Sequence, residues 1–205
     1  MTEKKTGILK RHDGDFPALI LLLTGFLVGN LIPNLLWKTQ WQQDTLAAVY
    51  LLGELTDREM DRGLYLAEIL RMRGGYFALI VLSGFSVFGV PAAVIGMLLL
   101  GAECGILMSL CILEFGFSGG LIGAALLFPQ YAAYIPAWSF MMRLVYEQSL
   151  GIWKNKGILP RKLGRYALGA GVFVLLMIPG IFLECYVNPW IVKKILDITN
   201  ILQGI

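Results

Sequence analysis

The sequence is poor in the groups that carry enzyme chemistry. It has a single histidine, His12, which stands in a basic N-terminal tail. The long apolar runs contain no aspartate, and no phosphate-binding loop of the G-x-x-x-x-G-K type occurs. These absences argue against histidine-based metal sites, most serine hydrolases, aspartyl intramembrane proteases and P-loop nucleotide hydrolases. We therefore expect no catalytic residues, no metal ligands, no cofactor and no enzymatic activity.

Charge is also scarce. Charged residues make up 15% of the 205 residues, against about 25% in soluble domains. Between Tyr76 and Leu113 the only formal charge is Glu103. As one helix this stretch would be about 57 Å long, against a hydrocarbon core of roughly 30 Å, so we expect it to cross a membrane twice. Gly89 and Pro91 suit the turn between the two crossings, because glycine permits a reversal and proline fits the start of a helix.

Cysteine is rare as well, and the net charge is small. Cys104, Cys111 and Cys185 all stand in apolar surroundings, where a thiol usually behaves as a small buried hydrophobe rather than as a disulfide partner or metal ligand. The formal charge of +3 bears on membrane orientation and gives no reason to expect a nucleic-acid partner.

The apolar runs predict an all-α protein, a polytopic helical transmembrane bundle of about five spans with proline-broken helices. The predicted single membrane domain covers residues 16–189, and its spans cover about residues 16–37, 74–89, 91–114, 121–143 and 166–187. The short glycine-rich segment from Glu114 to Gly120 predicts a tight turn between the third and fourth spans. Between the first two spans, an amphipathic segment is expected at residues 44–73, where apolar residues recur at helical spacing. A second amphipathic helix is expected at residues 190–205.

Basic residues predict the orientation. The tail of residues 1–15 contains Lys4, Lys5, Lys10 and Arg11, and residues 143–165 contain six basic residues. In a five-span bundle both groups lie on one side, which the positive-inside rule makes cytoplasmic. We expect a multi-pass cell-membrane protein with a cytoplasmic N-terminus. A sixth crossing stays open if the Pro129 to Pro136 region divides into two half-spans.

Acidic residues at membrane depth are the strongest functional signal. Glu103 and Glu184 fall inside predicted spans, where a carboxylate is costly unless it is protonated or paired. A transport or proton-relay role and a purely structural role both remain open. Glycines such as Gly101 and Gly105 allow close helix packing, and they leave association into a homo-oligomer open.

The polar segment before the second span offers a surface for a partner or for lipid, although it would equally serve as a connector packed on its own bundle. The candidate partner-surface residues are Asp57, Arg58, Asp61, Arg62, Tyr65 and Arg73.

Short motifs resemble one bacterial family. They are Gly89-Val90-Pro91, then Leu127-Phe128-Pro129-Gln130 with Ile135-Pro136-Ala137, and finally Leu183-Glu184 with Asn188-Pro189. In this order they resemble the stage II sporulation protein M family of polytopic membrane proteins, over about Phe16 to Pro189. The resemblance adds Gly89, Pro91, Pro129, Gln130, Pro136 and Pro189 as family-motif and helix-break residues.

The resemblance implies a non-enzymatic scaffold in endospore formation. Family members anchor peptidoglycan-remodelling partners, the stage II sporulation proteins D and P, while the mother-cell membrane engulfs the forespore. The expected partners are therefore membrane lipid and proteins resembling those two. The main alternative is a small transporter or channel subunit whose solute or ion path is lined by the Pro129 to Pro136 region and Glu103. A lipid-handling or bilayer-shaping role is a third interpretation.

Overall fold

The computed structural model describes residues 16–35, 62–155 and 163–198, and in these ranges all regular secondary structure is helical. The predicted all-α class is confirmed there. The helices are α1 (Ala18–Leu35), α2 (Arg62–Ser83), α3 (Gly89–Leu127), α4 (Gln130–Lys154), α5 (Leu163–Phe182) and α6 (Asn188–Ile198), with a π-helical turn, Leu183–Val187, between α5 and α6. Of the described helices, three stretches are long and apolar enough to cross a membrane: Ala18–Leu35, Gly89–Leu127 and Gly164–Ile195.

The turn between α2 and α3 lies earlier than the sequence predicts. The expected turn at Gly89 to Pro91 would close a span over residues 74–89, whereas α2 ends at Ser83 and α3 begins at Gly89. The turn therefore occupies residues 84–88. Pro91 falls in the first turn of α3, where its missing N–H is not needed.

Serine hydroxyls explain the earlier turn. Ser86 Oγ donates to the Ser83 carbonyl at 2.9 Å, and Ser149 Oγ of α4 donates to the Ser86 carbonyl at 2.7 Å. The two carbonyls also accept backbone N–H bonds within the turn, so the serine hydroxyls give each of them a second donor and hold the turn against α4. Gly84 completes the turn, because the Tyr166 side chain leaves no room for a Cβ at this position.

Helix α3 reverses direction at Gly116. Its backbone there has φ 61° and ψ −137°, a conformation that glycine adopts without a side-chain clash. Beyond it, Gly119 lies so close to the Cys111 backbone that a Cβ would overlap the Cys111 carbonyl. The two arms of α3, residues 89–115 and 117–127, therefore run antiparallel. The reversal lies within the segment from Glu114 to Gly120, where the sequence predicts a tight turn.

Helix α4 runs antiparallel to the first arm of α3. Tyr131, near the start of α4, bonds to Glu103, and Ser149, near its end, accepts a bond from the Val90 amide. Helix α4 therefore continues in the same direction as the second arm of α3, and residues 128–129 separate the two. Helix α4 continues through Pro136 to Lys154, beyond the predicted span end at residue 143.

Helix α5 runs antiparallel to α2. Tyr166, near the start of α5, donates to the Val81 carbonyl near the end of α2 at 2.8 Å. After the end of α5, Glu184 contacts Arg73 in the middle of α2. The main core lies where the first arm of α3, α4 and α5 meet.

Helix α1 packs parallel to the first arm of α3 through glycines of both helices. Gly25 and Gly29, one turn apart on α1, lie against backbone atoms of α3. Gly101 and Gly105, one turn apart on α3, lie against backbone atoms of α1. Each later glycine meets a later residue of the other helix, so the two run in the same direction. This is the close approach that small residues permit in membrane helices.

The C-terminal helix differs from its prediction. We expected a separate amphipathic helix over residues 190–205, whereas α6 starts at Asn188 and continues α5 through the π-helical turn. Pro189 does not end the helix. It follows the π-helical turn directly, where the Asn188 N–H already bonds to the Leu183 carbonyl five residues back, and this wider spacing accommodates the missing proline N–H. Val192 is buried with Cys111, Ile122 and Leu126 near the α3 reversal.

Candidate functional site

An ion pair joins α2 to the π-helical turn after α5. Arg73 Nη2 donates to Glu184 Oε1 at 3.2 Å, and the two side chains are 18% and 15% exposed. The Tyr134 hydroxyl of α4 donates to the other Glu184 oxygen. The Arg73 guanidinium also lies over the Tyr134 ring, 4.8 Å from its centre. Three helical segments thus converge on one carboxylate, which meets the expectation that charges at membrane depth are paired.

Glu103 is held differently. Its Oε2 accepts a hydrogen bond from the Tyr131 hydroxyl at 3.2 Å, and its side chain is exposed. Among the described residues, no basic side chain lies within salt-bridge distance of this carboxylate. Tyr131 and Tyr134 stand three positions apart on one face of α4, with ring centres 6.0 Å apart. The two tyrosines therefore connect the surroundings of Glu103 with those of Glu184.

A groove opens beside Glu103, between α2 and the first arm of α3, with a volume of about 430 Å³. Trp138 and Met142 of α4 form its floor. Arg73 and Glu103 lie toward one end of it, and Ala92 lies toward the other. The groove is therefore a mainly apolar cleft with one charged end.

The interruption between α3 and α4 is satisfied by two side-chain amides. The Leu126 carbonyl accepts a hydrogen bond from Gln130 Nε2 at 2.8 Å and another from Asn188 Nδ2 at 3.3 Å. Both amide side chains are buried. A backbone carbonyl freed inside a membrane finds no water, so a neighbouring side chain has to pair with it. Residues from two distant motifs thus meet at one break in the helix.

The structure separates the predicted motif residues into two groups. Pro129, Gln130 and Pro189 gather at the break between α3 and α4, where Asn188 also bonds. Gly89 and Pro91 lie at the start of α3, toward the opposite end of the bundle, and Pro136 lies inside α4. The predicted buried state of the three cysteines is confirmed, and all three are free thiols.

The predicted partner surface is only partly described. Of its described members, Arg73 turns its side chain inward to Glu184. Tyr65 lies half-buried on α2, and Arg62 is the first residue of that helix. Asp57, Arg58 and Asp61 lie outside the described residues, as do the basic N-terminal tail and residues 44–61 of the predicted amphipathic segment.

Sequence reasoning missed the tyrosines and the partner of Glu184. Tyr131 and Tyr134 carry a usable signal, since they are three positions apart in the span that contains both Pro129 and Pro136. No comparable signal pairs Arg73 with Glu184, because the sequence does not show which helices are neighbours.

No family model, curated protein or solved structure matches this chain. The resemblance to the stage II sporulation protein M family therefore stays a prediction, and function has to be argued from the residues and their geometry.

Proposed function

We propose that this chain is a five-span anchor in the cell membrane that positions peptidoglycan-remodelling proteins during engulfment in endospore formation. The five crossings are α1, α2, the first arm of α3, the second arm with α4, and α5. The directions of these segments alternate along the chain. This alternation puts the N-terminal tail and the basic loop before α5 on one side, which the positive-inside rule makes cytoplasmic.

The exposed first half of α2 is the observation that carries the proposal. Glu68 and Arg71 are exposed there, and the large apolar side chains of Leu70 and Met72 are 50% and 58% exposed. This part of α2 extends about 16 Å beyond the Arg73 ion pair. Exposed apolar groups rimmed by polar ones are typical of protein or membrane interaction sites.

The ion pair suits a support role for this helix. Glu184 accepts hydrogen bonds from Arg73 and Tyr134, and the Arg73 guanidinium lies over the Tyr134 ring. These contacts fix α2 against α4 and the end of α5. In the five-span topology the first half of α2, the α3 reversal and α6 lie on the outer side, where peptidoglycan is remodelled. On this proposal the chemistry belongs to the partners, and this chain holds them in place.

The test is the recovery of partners by crosslinking to the tagged full-length protein in its native cells. Exchanging the exposed charges of α2, with Glu68→Lys and Arg71→Glu together, should lower recovery of a peptidoglycan-remodelling protein at least tenfold. The matched control exchanges the exposed α4 pair, with Arg143→Glu and Glu147→Lys, and should leave recovery unchanged. Equal recovery from both exchanges, or no wall-remodelling protein in any sample, refutes the proposal.

The exposure of Glu103 favours one other candidate, a small transporter or channel subunit. A path along Glu103 and the Pro129 to Pro136 region predicts that Gln130→Cys reacts with water-soluble thiol reagents. It also predicts a proteoliposome flux that Glu103→Gln abolishes. The anchor proposal predicts no labelling, because Gln130 is 5% exposed and packed at the break. Labelling together with a Glu103-dependent flux would decide for transport.

A further inference from the structure

The groove between α2 and the first arm of α3 has two chemically different ends. Among the described residues that line it, Arg73 and Glu103 alone carry charge, and the others are apolar or aromatic. Ligand sites are typically clefts of this kind, mainly apolar with a few convergent polar groups. An occupant that matches both ends has to be amphipathic.

The charge at the polar end is unbalanced. Arg73 forms its ion pair with Glu184, and it acts on Glu103 only from beyond salt-bridge distance, so the direct contact of Glu103 is the Tyr131 hydroxyl. With one arginine and two glutamates, the cluster carries one excess negative charge when both carboxyls are ionised. A carboxylate exposed at membrane depth is costly without a cation. A ligand that brings an N–H-bearing cation to Glu103 would supply the missing partner.

Arg73 has donor capacity left for an anionic group. A guanidinium carries five N–H donors in a fixed plane. Arg73 directs one to Glu184 at 3.2 Å and also contacts the hydroxyls of Tyr131 and Tyr134, which still leaves donors over. Arginine readily pairs with phosphate through such donors. The charged end of the groove therefore presents a cation that suits a phosphate beside a carboxylate that suits an ammonium.

The apolar end has the length of an acyl chain. From Glu103 to Ala92 the groove follows twelve residues of α3, a rise of about 16 Å. An acyl chain of one leaflet spans half of a hydrocarbon core of roughly 30 Å, which is a comparable length. Leu79, Ile95 and Leu99 on the groove walls are 65%, 54% and 61% exposed. The groove thus opens sideways, toward the place that lipid occupies around a membrane helix.

We propose that this groove binds a phospholipid whose headgroup combines a primary ammonium with a phosphate, as in phosphatidylethanolamine. The ammonium donates to Glu103, the phosphate lies beside Arg73, and one acyl chain follows the groove toward Ala92. A shallow depression containing Glu68 and Arg71 shares Tyr76 and Leu79 with the groove. It offers the headgroup a polar approach from the end where α2 begins. The proposal does not depend on the anchor role.

The test titrates the purified, delipidated full-length protein with three phospholipids that have the same acyl chains, and it counts bound lipid by native mass spectrometry. Phosphatidylethanolamine should bind at least tenfold tighter than phosphatidylcholine, whose trimethylated nitrogen has no N–H donor. It should also bind at least tenfold tighter than phosphatidylglycerol, which has no nitrogen. Glu103→Gln should abolish this preference. The matched control is Glu114→Gln on the same arm of α3, which is exposed outside the groove and should keep the preference.

A second variant tests the acyl-chain part and does not touch the charged end. Leu99→Trp enlarges a wall residue into the groove and should weaken binding of all three lipids at least tenfold. Leu19→Trp is the control, since Leu19 is 69% exposed on α1 outside the groove, and should change nothing. Equal binding of the three lipids by the unaltered protein would show ordinary annular lipid and refute the proposal. A preference for phosphatidylglycerol, or a preference that survives Glu103→Gln, would refute it as well.

Discussion

Helices α1 and α2 are attached to the same bundle by opposite means. Gly25 and Gly29 let α1 approach the α3 backbone directly, and Gly101 and Gly105 do the same from α3. Helix α2 has an open groove beside it and is tied instead at separate points, by the Arg73 to Glu184 ion pair in its middle and by the Tyr166 to Val81 bond near its end. One attachment depends on shape, and the other includes a charge interaction.

This difference shows how a membrane bundle can combine a rigid part with an accessible part. In lipid, apolar helices gain little from burying apolar surface, so a close fit between backbones is what holds α1. A helix tied by an ion pair needs less continuous contact, because loss of either partner would leave an uncompensated charge in a poorly hydrated site. Such a helix can leave a groove beside it and still keep a fixed position.

Breaking the ion pair should have the largest effect. Arg73→Met leaves Glu184 without its cation, and it should lower the free energy of unfolding by about 3 kcal/mol, as loss of one partner in a buried pair does. Adding Glu184→Gln should restore at least half of the loss, because the uncompensated charge is gone. The measurement is equilibrium unfolding in mixed micelles.

The control for the ion pair is Arg143→Met. Arg143 and Glu147 form an exposed pair one turn apart on α4, and such pairs contribute less than about 0.5 kcal/mol. If Arg73→Met costs no more than Arg143→Met, α2 is not held by charge and the comparison fails.

Crowding the glycine contact should have the next largest effect. Gly105→Ala puts a Cβ onto the backbone of α1 and should cost about 2 kcal/mol, a usual cost of overpacking. Gly171→Ala is the matched control, because a Cβ at Gly171 on α5 meets nothing within 4 Å. Thermal unfolding in detergent should leave this control unchanged or slightly more stable. Equal losses in both variants would mean that α1 does not depend on shape.

Changes at the break between α3 and α4 should have the smallest effect. Here the group that needs a partner is an uncharged backbone carbonyl, and two side-chain amides donate hydrogen bonds to it. Gln130→Leu or Asn188→Leu alone leaves the Leu126 carbonyl one donor, whereas both together leave it with neither. The double variant should therefore cost about 1 kcal/mol more than the sum of the single ones. Strict additivity in unfolding measurements would show that the two amides act independently.

The sequence allowed the helical class, the buried cysteines and the turn near Gly116 to be predicted, because composition and local glycine chemistry determine them. The turn at residues 84–88 was predicted at Gly89 to Pro91, because these two residues are typical of turns and helix starts. The Ser149 contact that helps to fix the actual turn comes from another helix, and the local sequence does not show it. The inward pairing of Arg73 was missed for the same reason. Its place in a polar segment suggested a surface, and only the position of Glu184 shows the inward pair.

The amino-acid sequence is enough to show that this chain is apolar, helical and suited to a membrane, because long runs with almost no charge cannot remain in water at low cost. It also identifies Glu103 and Glu184 as carboxylates at membrane depth, whose position requires an explanation. The packing of the helices is needed to show that Glu184 is paired with Arg73 while Glu103 faces an open groove. This pairing depends on which helices lie side by side, and residues 111 positions apart carry no local pattern that could reveal it.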